Sequence, residues 1–96
     1  MTPQSLTVFK VTIQAPYNVT YNANSGSGAP SEQKKLYGIN LTLSSTQPTR
    51  TGYTFNGWNT ASNGSGTNYA AGATYSANAG ATLYAKWTPV NYNYHL

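Results

Sequence analysis

This 96-residue chain contains no cysteine, no aspartate, one glutamate (Glu32) and one histidine (His95). Without cysteine there is no disulfide staple, no thiol nucleophile and no thiolate ligand for zinc. A single acidic side chain cannot supply the carboxylate pair that general acid and base chemistry draws on. A Ser-His-acid triad would have to recruit His95, one residue from the last position, and one His with one Glu falls short of the three or four ligands of a zinc site. These absences predict a protein that is not an enzyme, with no catalytic residues, no metal site and no cofactor.

Other scarcities narrow the partners. No stretch approaches the ~18 consecutive apolar residues of a membrane span, which argues against membrane insertion. Lys10, Lys34, Lys35, Arg50 and Lys86 leave a formal net charge of +4, whereas a duplex binder makes about 6 to 10 phosphate contacts and only Lys34 and Lys35 are adjacent. The surface therefore reads as mildly basic and largely neutral, with no nucleic-acid partner. The opening Met1-Thr2-Pro3-Gln4-Ser5 lacks the basic region and apolar run of a signal peptide. With the closing Tyr94-His95-Leu96, it reads as the boundary of a piece cut from a longer protein, and the Met need not be native.

Aliphatic residues are few, since Ile, Leu, Val and Phe together number 14, but nine Tyr and two Trp restore apolar area. An aromatic ring buries roughly 150 to 250 Å² while leaving its polar tip free to bond. Most of the remainder is Thr, Asn, Ser and Gln. Hydroxyls, β-branched Thr and aromatic Tyr suit half-buried sheets better than helices.

The pattern along the chain agrees. Phe9, Val11 and Ile13 alternate with Lys10 and Thr12 as a strand closed by Ala15-Pro16, and Tyr17, Val19, Tyr21 and Ala23 alternate with Asn18, Thr20, Asn22 and Asn24 as a second. Ser25-Gly26-Ser27-Gly28-Ala29-Pro30 is a loop. Residues 31–36, Ser-Glu-Gln-Lys-Lys-Leu, are the one segment of helix-favouring composition and predict at most a short helical turn. Tyr37, Ile39, Leu41 and Leu43 give four successive matches to a period of two, the clearest strand signal in the chain. Pro48 to Gly52 form a turn into Tyr53 and Phe55. Of two Asn-Gly pairs, Asn63-Gly64 lies in the more polar surroundings and is the turn, which leaves Gly57 as a bulge within the strand that reaches Trp58. Tyr69 to Tyr75, interrupted by Gly72, and Leu83 to Trp87 complete the list. About six short strands punctuated by Gly, Pro and Asn mean a compact sheet protein.

Tyr53, Phe55, Trp58, Leu83 and Trp87 are the predicted core. Tyr53 and Phe55 project to one face, the Gly57 bulge re-aims Trp58 inward, and Trp58 is expected to meet Trp87. The candidate binding residues are Tyr37, Tyr69, Tyr75 and Tyr84 with Tyr17, provided that three or more share one solvent-facing patch. The three Asn-x-Ser/Thr sequons occur at chance frequency for this composition, and the glycine clusters match no phosphate-binding loop.

Pro16-Tyr17-Asn18-Val19-Thr20-Tyr21 is echoed in Pro89-Val90-Asn91-Tyr92-Asn93-Tyr94, which reads as the start of a second unit. Within the first unit, Val19-Thr20-Tyr21-Asn22-Ala23-Asn24, the eleven residues Pro48-Thr49-Arg50-Thr51-Gly52-Tyr53-Thr54-Phe55-Asn56-Gly57-Trp58, and Leu83-Tyr84-Ala85-Lys86-Trp87 resemble the Listeria-Bacteroides repeat, the B-repeat of internalin-type surface proteins. The resemblance spans Tyr17 to Trp87. It implies a β-rich α+β fold, a small β-grasp-like (ubiquitin-like) twisted sheet with at most one short helical turn, strung in tandem in secreted or wall-anchored bacterial proteins and carrying no catalytic residues. Asn24 and Asn56 stand where members of that family often carry acids, so a ligand site relying on those charges does not transfer.

The domain reading follows: 1–16 a linker or the closing strand of a preceding domain, 17–88 one repeat-like domain, 89–96 a linker or the start of a following repeat. The expected role is an extracellular module of a bacterial cell-surface protein that spaces or presents neighbouring domains or repeats of its own chain. The alternative is a binding module for glycan, or for a host or matrix protein, through exposed Tyr or a sheet edge.

Overall fold

In the computed structural model, which describes residues 15–90, the alternation from Tyr17 produces strand β1 (Tyr17–Asn22), with Val19 fully buried and Tyr21 packed on the core. The Ser-Gly loop follows, and β2 (Gln33–Lys35) returns antiparallel to β1 with Tyr17 opposite Lys35 and Val19 opposite Gln33. This corrects the helical turn expected over 31–36. Six residues are too few to offset the cost of helix nucleation, whereas edge pairing with β1 satisfies their backbone at once.

The strand expected from Tyr37 to Leu43 is also corrected. Only Leu41–Thr42 is strand, β3. Ahead of it the Ile39 amide bonds the Leu36 carbonyl at 3.0 Å, closing a turn that runs through Gly38 at φ +73°. Leu36, Tyr37 and Ile39 are thereby left exposed, and Leu43 alone of the four alternating residues is fully buried.

The second half of the chain follows the punctuation. Gly52, at φ +85°, completes a turn in which the Tyr53 amide bonds the Arg50 carbonyl at 3.0 Å, and β4 (Tyr53–Asn59) begins there. Its register against the last strand shifts between Phe55 and Trp58, and Gly57 sits in that shift at φ +91°. The expected bulge is therefore present and Trp58 points inward with no exposed surface. Tyr69 to Tyr75 forms two strands, not one: β5 (Asn68–Tyr69) pairs with β4, and β6 (Thr74–Tyr75) pairs with β3. Between them a turn through Gly72, at φ +77°, moves the chain from one sheet to the other. The last strand, β7 (Ala81–Pro89), runs the length of the domain with Leu83 and Ala85 fully buried.

The main sheet has the order β2-β1-β7-β4-β5, in which only β1 and β7 are parallel. The β3/β6 pair covers one of its faces. Val19, Trp58, Leu83 and Ala85 from the large sheet meet Leu43 and Tyr75 from the small one, with Tyr21, Leu41, Phe55, Tyr69 and Trp87 at the margin. Among the described residues there is no helix, and so none long and apolar enough to cross a membrane. The strand expected over Phe9, Val11 and Ile13 and most of the echo after Pro89 lie outside the described residues.

Candidate binding groove beside the bulged strand

β4 is paired along one edge by β7, through the bulge, but its other edge is covered only in part. β5 pairs with β4 only at Trp58 and Asn59, so among the described residues no strand lies beside Tyr53 to Gly57 on that edge. The space there is an open groove of about 510 Å³ walled by Gln47, Phe55, Asn56, Tyr69 and Lys86. A second hollow of about 350 Å³ continues it past Pro48 and Arg50, sharing Gln47 and Phe55. The walls of the two together combine four aromatic rings, Tyr53, Phe55, Tyr69 and Trp87, with neutral amides. Their charges are two cations, each already engaged: Lys86 Nζ donates to Asn68 Oδ1 at 2.9 Å, and the Arg50 guanidinium lies 3.7 Å above the Tyr53 ring. Such walls can hold a neutral polar ligand or an extended segment, but offer no acid and no nucleophile paired with a base.

Among the described residues no group of three or more His, Cys, Asp or Glu could hold a metal ion. Glu32 lies away from the groove, on an exposed ion pair with Lys34 at 2.7 Å.

The tyrosines singled out from the sequence differ widely in exposure. Tyr37 is 61% exposed in the turn after β2, while Tyr75 is 2% exposed in the core. Tyr17, Tyr69 and Tyr84 are half-buried. Tyr69 and Tyr75 pack on each other with ring centroids 5.3 Å apart. The Tyr75 hydroxyl donates to the Ala79 carbonyl at 2.6 Å, and burial, reinforced by Tyr69, pushes its pKa up. Burial likewise raises Tyr21, opposed by the Ser44 amide that donates to its oxygen at 3.0 Å. Tyr21 in turn donates to Gln33 Oε1.

Of the residues read as core, Trp58 and Leu83 are fully buried, whereas Phe55 and Trp87 pack on the cluster from its margin. Tyr53 is half-buried beneath Arg50. The two indoles are joined through a third ring, with Phe55 5.1 Å from Trp58 and 5.9 Å from Trp87. The Trp87 Nε1–H donates to the Ala23 and Asn24 carbonyls at 3.0 and 2.9 Å, while the buried Trp58 Nε1 has no partner among the described residues.

Two buried polar residues were not legible beforehand. Asn59, fully buried, donates through Nδ2 to the Gly64 and Gly66 carbonyls and to Asn68 Oδ1, and accepts at Oδ1 from the Ala61 and Gly66 amides. One side chain thus organises the Asn63-Gly64 loop. Its weak signal was an Asn closing a strand ahead of a Gly-rich turn. Lys35, also fully buried, lies on the core-side margin of β2 and donates to the Leu36 carbonyl at 2.6 Å and Asn78 Oδ1 at 2.9 Å. Nothing in a Lys-Lys pair tells which one will be covered.

Among curated proteins none matches this chain. The signature strand and its turn, the Gly57 bulge, the inward Trp58 and the first six residues of the closing β7 all fall within residues 17–86, which match the Listeria-Bacteroides repeat domain, and the chain belongs to that family.

Proposed function

We propose that this domain is a non-enzymatic spacer, which holds neighbouring domains of a bacterial surface protein apart and presents them. The family is one of repeat modules in such proteins, which suggests an extracellular setting. The observation that carries the reading is the parallel pairing of β1 and β7, with Val19 opposite Ala81. Parallel neighbours place the start of the first strand and the end of the last at opposite poles. From Tyr17 to Pro89 that is ten residue steps along the strand axis, or about 33 Å at ~3.3 Å per step. Modules joined through such poles lengthen a chain, where poles on one side would fold it back. The strand order, with the first and last strands parallel at the centre and an antiparallel strand outside each, also supports a β-grasp variant in which the β3 segment takes the place of a crossover helix.

Small-angle scattering on one, two and three head-to-tail copies of the 96-residue chain tests this. The maximum dimension should grow by a constant increment of at least about 30 Å per copy. Copies that stack side by side, with little growth, would overturn it.

A second reading, weak adhesion to glycan, is favoured by the groove alone, because aromatic rings and free amides suit the apolar faces and hydroxyls of a sugar. Titration on a glycan array separates the two readings: saturable binding abolished by Asn56→Ala and Gln47→Ala supports adhesion, and no saturable signal removes it.

A further inference from the structure

We infer that the turn after β1, hooked to Trp87 of β7, is a mechanical latch that resists extension of the domain along its strand axis. Because β1 and β7 run side by side in the same direction, tension on residue 16 and on residue 90 pulls them oppositely along their length. The two strands must then slide past each other, and the four ladder pairs from Val19/Ala81 to Asn22/Tyr84 share the tension together. An antiparallel pair pulled from its open end parts one bond at a time. β7 is also paired along its other edge with β4, which anchors it in the sheet while the β1/β7 seam is loaded.

Contacts beyond the ladder lie across the same seam. The Trp87 indole N–H bonds the Ala23 and Asn24 carbonyls, and Asn24 Nδ2 reaches back to the Ala85 carbonyl at 3.0 Å and across to Ser62 at 3.0 Å. Thr20 Oγ1 and Thr82 Oγ1 pair at 3.1 Å along the ladder itself. The turn is held in a costly shape to make these contacts. Asn24 and Ser25 both have positive φ, 51° and 82°; asparagine tolerates that region, but serine adopts it only when its surroundings enforce it. Gly26 completes the seat: a Cβ there would come within 3.0 Å of Trp87 Cη2 and 2.6 Å of the Thr49 carbonyl, so only glycine lets the ring lie against the turn. A loop that merely connected β1 to β2 would need neither the strain nor the indole.

The inference rests on the spacer reading for the direction of the tension, but the two fail separately. Scattering reports only whether copies extend, and force reports only how one domain yields. The test is single-molecule force spectroscopy on the full chain, whose lack of native cysteine leaves an introduced thiol unique. Handles at the two chain ends load the β1/β7 seam. A handle at exposed Thr51 (Thr51→Cys) with one at the C-terminal end instead unzips β4 from β7, starting at Tyr53/Pro89. The same native fold should rupture at about twice the force or more in the first geometry, since forced unfolding follows the barrier along the pulled coordinate. Trp87→Phe, which keeps a ring beside Phe55 but removes the donor, should lower the end-to-end force and leave the Thr51 geometry unchanged. Equal forces in the two geometries of the unmodified chain would overturn the latch, whatever the variant does. An equal loss in both geometries for Trp87→Phe would reduce Trp87 to ordinary packing.

Discussion

Asn59 shows how much of this fold one polar side chain can hold. It satisfies two carbonyls, two amides and a neighbouring side chain with no access to water. Asn59→Ala should cost about 2 to 3 kcal/mol, because each buried group left unpaired keeps its desolvation penalty. Asn59→Asp should cost more, since it exchanges the amide donors for a buried charge facing carbonyl oxygens. Chemical denaturation of both variants checks the order. At Gly57 the limit is the backbone. With φ +91° and a Cβ position 3.2 Å from the Tyr69 carbonyl, Gly57→Ala should lose about 1 to 3 kcal/mol. Trp58 carries a buried donor with no partner among the described residues, so Trp58→Phe should cost well under the ~3 to 5 kcal/mol of Trp58→Ala. Similar losses for the two would mean that the Nε1–H is satisfied.

Among the elements, the segment from Leu36 to Leu43 separates pattern from packing. Its alternation is regular, yet Gly38 turns the chain before the strand can form, and the Gly38 amide bonds Asn78 Oδ1 at 2.8 Å, an anchor forty residues away. Ile39→Ser should therefore leave the thermal midpoint within about 2 °C of the unmodified chain, while Leu43→Ala, truncating a fully buried side chain, should cost about 2 to 5 kcal/mol. Equal losses would restore the continuous strand. β2 makes the same point in reverse. A helix-favouring sequence becomes an edge strand because β1 already offers a ladder, and Gln33 and Lys35 turn their polar ends toward partners that belong to other elements: Tyr21, Ser44 and Asn78. No short-range propensity contains those partners.

The whole molecule has an unusual charge economy, with consequences for its pH dependence. Acid denaturation is driven mainly by carboxylates whose ionised form the native state favours, and this chain has one acidic side chain. The unfolding midpoint should be nearly flat from about pH 9 down to about pH 3. On the alkaline side, burial raises the native pKa values of Tyr21 and Tyr75 above the ordinary tyrosine value of about 10. The unfolded chain ionises first, so the stability from their neutral hydroxyls is fully present below about pH 10 and is lost as pH rises through the higher native values. Thermal melts across pH 3 to 11.5 would show a plateau and then an alkaline fall, reduced in Tyr75→Phe. A steep acid limb would contradict this account.

The amino-acid order was enough for the all-but-helix-free sheet, the turn at Gly52, the bulge at Gly57 and the inward Trp58, because each rests on residue type or on spacing within a few positions. It also carried the family signature from Val19 to Trp87. Three-dimensional packing alone decided that β1 and β7 lie parallel at the centre, that Tyr69 and Tyr75 belong to different sheets, that Lys35 and Asn59 are enclosed, and that a groove opens beside β4. Apart from Asn59, whose partners lie within nine positions, those outcomes depend on pairings between residues about eleven to sixty-two positions apart. Such a pairing forms only where many distant groups are satisfied together, and nothing in the neighbouring residues records which groups those will be.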